Sequence, residues 1–425
     1  VTPSVDDLRF SELYRKEEYA VETEDGWRLM VTRYKPIKQA FKQPLLDEPI
    51  LLVHGFTQNR HCWSAGEFVK NLVYFGCDVH ILELRGHGKS SIRLQEDLHK
   101  REGRPLPADI AYDWDLDSYF LYDVPAAVAA VKEKSGHEKI FYCGHSMGGM
   151  IAYGYASLHD DFKGLITIGS PSELGKGLLP LQYLAWLDSF TPLLLGELKL
   201  VNKARTGAYR LGRAVEKLLG TAEKGAASAP PVDLEVKYIP FDYFLRTWGR
   251  IFTPMGERGL ARMNSRFPLL YNPKRVVPEN ILWLLTWGGE KEPLKVTRQF
   301  ARWIRNGELK CYRLNYRFNS NFHKIQIPIA IIFGDEDRLA NLQSTRGIYH
   351  KVNSEYLLWR PVRGNSHMEL TMGHDIRQIC YDIKNLMEYA VTHQHRRPSL
   401  PRRDLSDTVR TDLTSRKARM LRIVK

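Results

Sequence analysis

The chain has 425 residues, 43% hydrophobic and 26% charged, which excludes wholesale disorder and allows one large core with an accessory region. Its formal charge of +13 points less firmly to an anionic partner than it first suggests, because residues 395–425 hold ten Lys/Arg against three Asp. No nucleic-acid-binding motif accompanies that charge, and the five cysteines (Cys62, Cys77, Cys143, Cys311, Cys380) lack C-x-x-C spacing, which excludes a disulfide scaffold or thiolate zinc site and favours a reducing, cytoplasmic compartment.

The chain opens on polar and acidic residues without the apolar h-region of a signal peptide. Strands are predicted over 18–24 and 28–34, joined by the turn dipeptide Asp25-Gly26. The run 49–55 is continuously apolar up to His54-Gly55, as in a strand buried on both faces of a parallel sheet. A helix near 66–75, a strand at 78–84, a helix at 116–134, a strand at 139–143, a helix at 147–158 and a strand at 164–169 follow. This alternation predicts an α/β fold with a mostly parallel, doubly wound sheet.

At Ser170-Pro171 the rhythm breaks. Residues 172–324, rich in Leu, Trp, Tyr and Arg, read as an inserted helical cap, with a Gly- and Ala-containing loop at 220–231. Its apolar stretch 178–201 is interrupted by Pro180, Gln182, Asp188, Pro192, Gly196, Glu197 and Lys199, too often for a membrane-spanning helix, and is expected to be buried or interfacial. Strands return at 327–334 and 355–362, and a helix at 374–391 closes the core. The expected division is therefore core 1–171, cap 172–324, core 325–394 and basic tail 395–425.

The chemistry centres on Gly144-His145-Ser146-Met147-Gly148, placed between a predicted strand and a predicted helix. A serine at such a sharp turn sits in a strained backbone conformation, and flanking glycines leave room for it. The turn also holds the hydroxyl near a helix N-terminus, whose free N–H groups favour developing negative charge.

Four further segments carry a resemblance. His54-Gly55-Phe56, Glu83-Leu84-Arg85-Gly86-His87-Gly88-Lys89-Ser90, Gly334-Asp335-Glu336-Asp337 and Gly364-Asn365-Ser366-His367 follow one another in chain order around the Ser146 motif. Together they resemble the α/β-hydrolase superfamily over roughly 18–172 and 325–392, with Glu83 replacing the family's usual Asp. Thr23-Glu24-Asp25-Gly26 and Tyr122-Asp123-Val124-Pro125-Ala126-Ala127 are similar to its acid-lipase branch.

A serine hydroxyl needs a histidine to take its proton and a carboxylate to hold that histidine's tautomer. The resemblance implies Ser146 as nucleophile and His367, among 14 histidines, as base; His350 and His374 are expected on helix surfaces. Asp335, Glu336 and Asp337 stand together, and the family's G-x-x-D spacing selects Asp337, with Glu173 as a more distant alternative acid. The oxyanion donors implied are the backbone N–H groups of Phe56 and Met147, with Gly55, Gly144 and Gly148 permitting the turns. His54 is expected to brace its loop without moving protons.

Gly88-Lys89-Ser90 fails as a phosphate loop because Glu83 stands where its first Gly is needed. The histidines at 54, 61, 80 and 87 lack H-x-x-x-H spacing, so neither metal nor cofactor is expected. The expected reaction is hydrolysis of a carboxylic ester, small or lipid-like, with a hydrophobic acyl or alcohol part. Alternatives are an acyltransferase or polyester synthase-like enzyme using the same triad, which would normally carry Cys at the elbow, and a non-catalytic hydrolase-like binding domain. Nucleic acid is not an expected partner; a membrane surface could be met through the cap or the basic tail.

Overall fold

The computed structural model describes residues 12–41, 45–178, 237–252, 258 and 271–393. The loop expected at 220–231, all but Leu178 of the apolar stretch 178–201, and the tail 395–425 lie outside them.

Twelve strands occur among the described residues: β1 (Tyr14–Glu22), β2 (Arg28–Pro36), β3 (Pro49–Val53), β4 (Asp78–Glu83), β5 (Ile140–His145), β6 (Phe162–Ile168), β7 (Tyr238–Pro240), β8 (Lys291–Pro293), β9 (Lys310–Cys311), β10 (Tyr316–Arg317), β11 (Ile329–Gly334) and β12 (Leu357–Val362). Eight form one sheet in the order β1-β2-β4-β3-β5-β6-β11-β12. Pairing is antiparallel from β1 through β2 to β4 and parallel from there on. β3, β5 and β11 are buried at every residue, as helices on both faces require, and this is why they read as unbroken apolar runs. The chain moves outward from β3 to β4, then returns to β5 on the other side of β3. The adjacent carboxyl ends of β3 and β5 therefore form a switch point, where open α/β sheets bind ligands.

Two helical regions differ from expectation. The predicted helix 116–134 is interrupted: Leu116–Ser118 leads into a π-helical turn over Tyr119–Asp123, and a regular helix resumes at Val124–Ser135. Pro125, without an N–H, sits in the first turn of that second helix, where its missing donor costs least. A helix at Ile92–Glu102 was not anticipated, since only Gln95 and Leu98 on it are buried and its apolar stripe is correspondingly faint. Its ends are well marked: the Ser91 hydroxyl accepts from Leu94 N–H at 3.1 Å, and Gly103 closes it at φ +65°.

The described part of the insertion contains helices Phe241–Phe252, Pro278–Trp287 and Leu294–Asn306, but also two small antiparallel ribbons, β7–β8 and β9–β10. Val296, Trp303, Leu309 and Phe318 join the main core, whereas Tyr271, Val276, Ile281, Leu284 and Leu285 form a second cluster with Met368 and Met372.

The fully buried Arg85 explains why three separate signature segments occur together. Its guanidinium donates to Asp123 at 2.8 and 2.7 Å, to Asp25 at 2.6 and 3.0 Å, and to Asp109 at 2.9 Å. The hairpin turn, the β4 loop and the start of the 124–135 helix are thus bound to one cation. Glu83, longer than the family's Asp, accepts from Arg60 at 2.9 Å and occupies the space opened by Gly88, whose Cβ would lie 1.8 Å from Glu83 Oε1.

Candidate active site

Ser146 sits between β5 and the helix Met147–Leu158 with φ +51° and ψ −116°, outside the regions that L-residues normally occupy. Close packing enforces the turn. A Cβ on Gly144 would lie 2.4 Å from Gly149 N, and one on Gly148 would lie 2.4 Å from Val53 O and 2.8 Å from His54 O. Tyr142 O–H donates to Gly148 O at 2.8 Å, and Ser146 N–H donates to Ile168 O at 2.8 Å, tying the elbow to β6.

The other predicted residues gather at the same sheet edge. A Cβ on Gly55 would stand 3.0 Å from Ser146 Cβ, and one on Gly169, next to Ile168, would meet the His367 ring at 3.2 Å. His367 Nδ1 bonds Asp337 Oδ2 at 2.7 Å, while Asp337 Oδ1 accepts from Leu339 N–H and Ala340 N–H at 2.8 and 2.9 Å. That carboxylate is therefore fixed on both oxygens. Of its neighbours, Asp335 accepts from Gly364 N–H at 2.6 Å, as a turn residue does, and Glu336 accepts from Asn272 at 3.1 Å. Glu173 packs against Gly347 and pairs with Lys176 at 2.8 Å. Among these acids, only Asp337 hydrogen-bonds His367.

Burial opposes charge on His367, but the Asp337 carboxylate more than offsets it and holds the ring above its ordinary pKa. Among the described residues neither His367 Nε2 nor the half-buried Ser146 hydroxyl is committed to a hydrogen bond. Glu369, two residues after His367, is fully buried; burial raises it to about 7, and one of its oxygens accepts from Asn272 N–H.

His54 is held on both ring nitrogens. Leu84 N–H donates to Nε2 at 3.2 Å, so the ring proton is on Nδ1 and is donated to Gly55 O at 2.9 Å. Burial, helped by the neighbouring His87, depresses this ring to about 3, so it stays neutral. In a trans peptide, C=O and N–H point opposite ways, so pinning Gly55 O turns Phe56 N–H to the other side. Neither Phe56 N–H nor Met147 N–H has a hydrogen-bond partner among the described residues, although Gly55 and Thr57, which flank Phe56, do.

Two contributors were not identified in advance. Gln58 Oε1 accepts from Gly55 N–H at 2.9 Å and lies 2.9 Å from His145 Nδ1. The His145 ring lies 4.8 Å from that of His367, and burial keeps it well below its ordinary pKa. The position of His145 inside G-x-S-x-G could have marked it; nothing local marks Gln58. Of the remaining histidines considered for metal, His61 accepts from Trp283 Nε1–H at 3.1 Å and His80 bonds the Tyr19 hydroxyl at 2.8 Å. No cluster of three or more His, Cys, Asp or Glu suited to a metal occurs among the described residues.

Comparison with known proteins bears on the family. Residues 48–362 match the family model described as alpha/beta hydrolase fold. Lipase member K of Mus musculus is 22% identical over 395 residues, covering 88% of each chain. Sterol esterase 2 of Saccharomyces cerevisiae is 30% identical over 392 residues, covering 85% of this chain and 67% of that protein. The human lysosomal acid lipase/cholesteryl ester hydrolase is 26% identical over 144 residues, so the matched segment spans only 34% of that relative. Among solved structures, DcsB in complex with its substrate analogue superposes with a TM-score of 0.50 at 12% identity, covering 89% of this chain and 100% of that one. The chain belongs to the alpha/beta hydrolase fold family and stands on its lipase and esterase branch of carboxylic ester hydrolases.

Proposed function

We propose that this enzyme hydrolyses carboxylic esters with a hydrophobic acyl or alcohol part through an acyl-enzyme on Ser146. The reading rests on a strained Ser146 and on a His367–Asp337 pair bonded at 2.7 Å, whose His367 ring lies 4.8 Å from that of His145, the residue before Ser146. His367 Nε2 takes the hydroxyl proton as Ser146 Oγ attacks the ester carbonyl carbon. Asp337 stabilises the resulting imidazolium without itself being protonated. The tetrahedral oxyanion lies against Phe56 N–H and Met147 N–H, and losing one such donor costs about 3 kcal/mol of transition-state stabilisation. Collapse breaks the ester C–O bond, and His367 returns its proton to the departing alcohol. Water, deprotonated by His367, then releases the carboxylic acid and regenerates Ser146.

A hydrophobic substrate is supported by the relatives' names, lipase and sterol esterase, and by the aromatic wall at the site. Phe56 packs edge-on against Phe241 and Phe300, with centroids 5.6 and 5.3 Å away. In this reading 172–324 is the cap that shapes the acyl pocket beyond the ends of β3 and β5. Exposed Trp283, Trp287 and Tyr243 on the cap helices are available for contact with a lipid surface. Five free, buried cysteines suit a reducing compartment. No described helix is long and apolar enough to cross a membrane.

Ser146→Ala tests the proposal: turnover of p-nitrophenyl esters and fluorophosphonate labelling should both vanish. Activity persisting in that variant would overturn it. Esters of graded chain length measure the pocket's depth, and an added alcohol acceptor separates hydrolysis from acyl transfer.

A further inference from the structure

We infer that Glu292, carried by the inserted region, and His87 of the core form a buried ion pair that positions the oxyanion loop, so that the insertion supports the catalytic machinery as well as covering the substrate. The inference rests on the reading that Phe56 and Met147 supply the oxyanion donors.

The loop after β3 needs such support. Thr57 has φ +62°, and a β-branched side chain in the left-handed region is costly, by about 1–3 kcal/mol. Both backbone groups of Thr57 are held from one short segment of the insertion. Its N–H donates to Glu292 Oε1 at 2.7 Å, and its C=O accepts from Glu290 N–H at 2.8 Å. Around these, Asn59 donates its side-chain amide to Trp287 O at 2.8 Å and to Glu290 at 2.6 Å. Phe56, between the pinned Gly55 carbonyl and the pinned Thr57 amide, therefore has little freedom to turn its own N–H.

Glu292 does more than accept from Thr57. It is fully buried, and its Oε1 lies 3.0 Å from His87 Nε2. The other nitrogen of that ring, Nδ1, lies 2.8 Å from Arg85 O. A neutral imidazole has one donor, yet both His87 nitrogens face acceptors, so the geometry calls for the imidazolium. Burial opposes that charge, but Glu292 and Glu290 together raise the ring to about 9. The pair is thus a carboxylate against a cation away from water.

That cation also bears on the second support of the loop. The His87 and His54 rings are 5.0 Å apart. A positive neighbour helps keep His54 neutral, and only the neutral Nδ1–H tautomer can both accept from Leu84 N–H and donate to Gly55 O. Glu292 consequently acts on the Phe56 peptide from both sides: directly through Thr57, and through His87 and His54 to Gly55. Glu292 Oε2 has no hydrogen-bond partner among the described residues. An ion pair serving only to attach the insertion would leave activity per folded molecule unchanged.

Glu292→Gln and Glu292→Ala in the full chain separate positioning from attachment. Three quantities are read: kcat and KM on a p-nitrophenyl ester, the affinity of a trifluoromethyl ketone that forms a tetrahedral oxyanion on Ser146, and the affinity of the matching secondary alcohol that cannot. Gln keeps an acceptor for Thr57 but removes the charge, and should lower kcat about 3–10-fold; Ala should lower it about 30–100-fold. KM and alcohol affinity should stay within about threefold, while ketone affinity should fall by the same factor as kcat. Adding Thr57→Gly, which reaches positive φ without a Cβ penalty, should restore part of the loss. If the Ala variant does not fold, the isosteric Gln variant decides. Unchanged kcat and ketone affinity, or a loss of thermal stability with ketone affinity intact, would overturn the inference. Ser146→Ala assayed alongside keeps the two readings apart: activity in Ser146→Ala removes the underlying mechanism, whereas an inactive Ser146→Ala beside unaffected Glu292 variants removes only the role of Glu292.

Discussion

Two of the buried imidazole–carboxylate pairs among the described residues, His367–Asp337 at 2.7 Å and His87–Glu292 at 3.0 Å, differ in what the other ring nitrogen faces. In the first pair Nδ1 takes the carboxylate and Nε2 is left uncommitted, so the ring can gain and lose a proton. In the second pair Nε2 takes the carboxylate and Nδ1 is spent on Arg85 O, so the charge is fixed. In the proposed mechanism the same two functional groups thus serve chemistry in one place and architecture in the other. Residue type and carboxylate contact do not distinguish them; the second nitrogen does.

The strongest way to break that contrast is to remove the orienting charge at the reactive pair. Asp337→Asn should lower kcat by about 10⁴, because the amide favours the wrong tautomer of His367. Asp335→Asn, two residues away in the same turn, should cost less than about threefold if Asp335 only closes the turn to Gly364. Steady-state kinetics on a soluble ester measure both. Equal losses would show that the acid has been misassigned.

Next in size is a variant on the architectural side. Arg85→Met leaves the fully buried Asp123 without its cation and leaves Asp25 and Asp109 with only their Thr23 and Trp27 donors. Breaking a buried pair by deleting one partner costs about 3–5 kcal/mol. Denaturant titration should register that loss, while kcat of the folded fraction falls far less than in Asp337→Asn. A loss in kcat as deep as that of Asp337→Asn would erase the division between the two pairs.

What could be read from the sequence follows the same line. Ser146, Gly144 and Gly148 were legible because their constraints are local: a strained serine next to backbone approaches that a Cβ would block at 2.4 Å. The buried strands β3, β5 and β11 were legible because two covered faces leave an unbroken apolar run. Arg85, Asp25 and Asp123 could be noted as signatures, but their meeting around one guanidinium spans up to 60 positions and has no local mark. Glu292 lies 235 residues from the Thr57 amide that it holds, inside a segment whose pattern announced only helices. The ribbons there are two or three residues per strand, too short for a period to register. The helix Ile92–Glu102 escaped notice for the opposite reason, being long enough but almost wholly polar.

The smallest predicted effect, and the one that separates the two pairs in a single experiment, is their response to pH. His367 faces Asp337, Glu369 and His145; burial lowers its affinity for a proton, and Asp337 raises it further than burial lowers it. The base form is the neutral one, so kcat/KM should fall about tenfold per pH unit below a midpoint lying above 6.5. Because the folded pKa is raised, the stabilisation from this ring is complete below its unfolded value and is lost as pH climbs through the folded one. Activity and the His367 share of stability therefore move in opposite directions over the same window. His87, facing Glu292, Glu290, His54 and Tyr119, is raised to about 9, so its share of stability is complete below its unfolded value, declines as pH rises from there, and is gone once pH has passed about 9. His54 has the reverse sign: depressed to about 3, it makes the fold more stable as pH rises from there to its unfolded value. In a pH series of kcat/KM, Glu292→Gln should leave the acid midpoint in place and Asp337→Asn should move it downward, since only Asp337 touches the ring that titrates. A midpoint that followed Glu292 instead would mean that proton transfer and loop support are not separable in this fold.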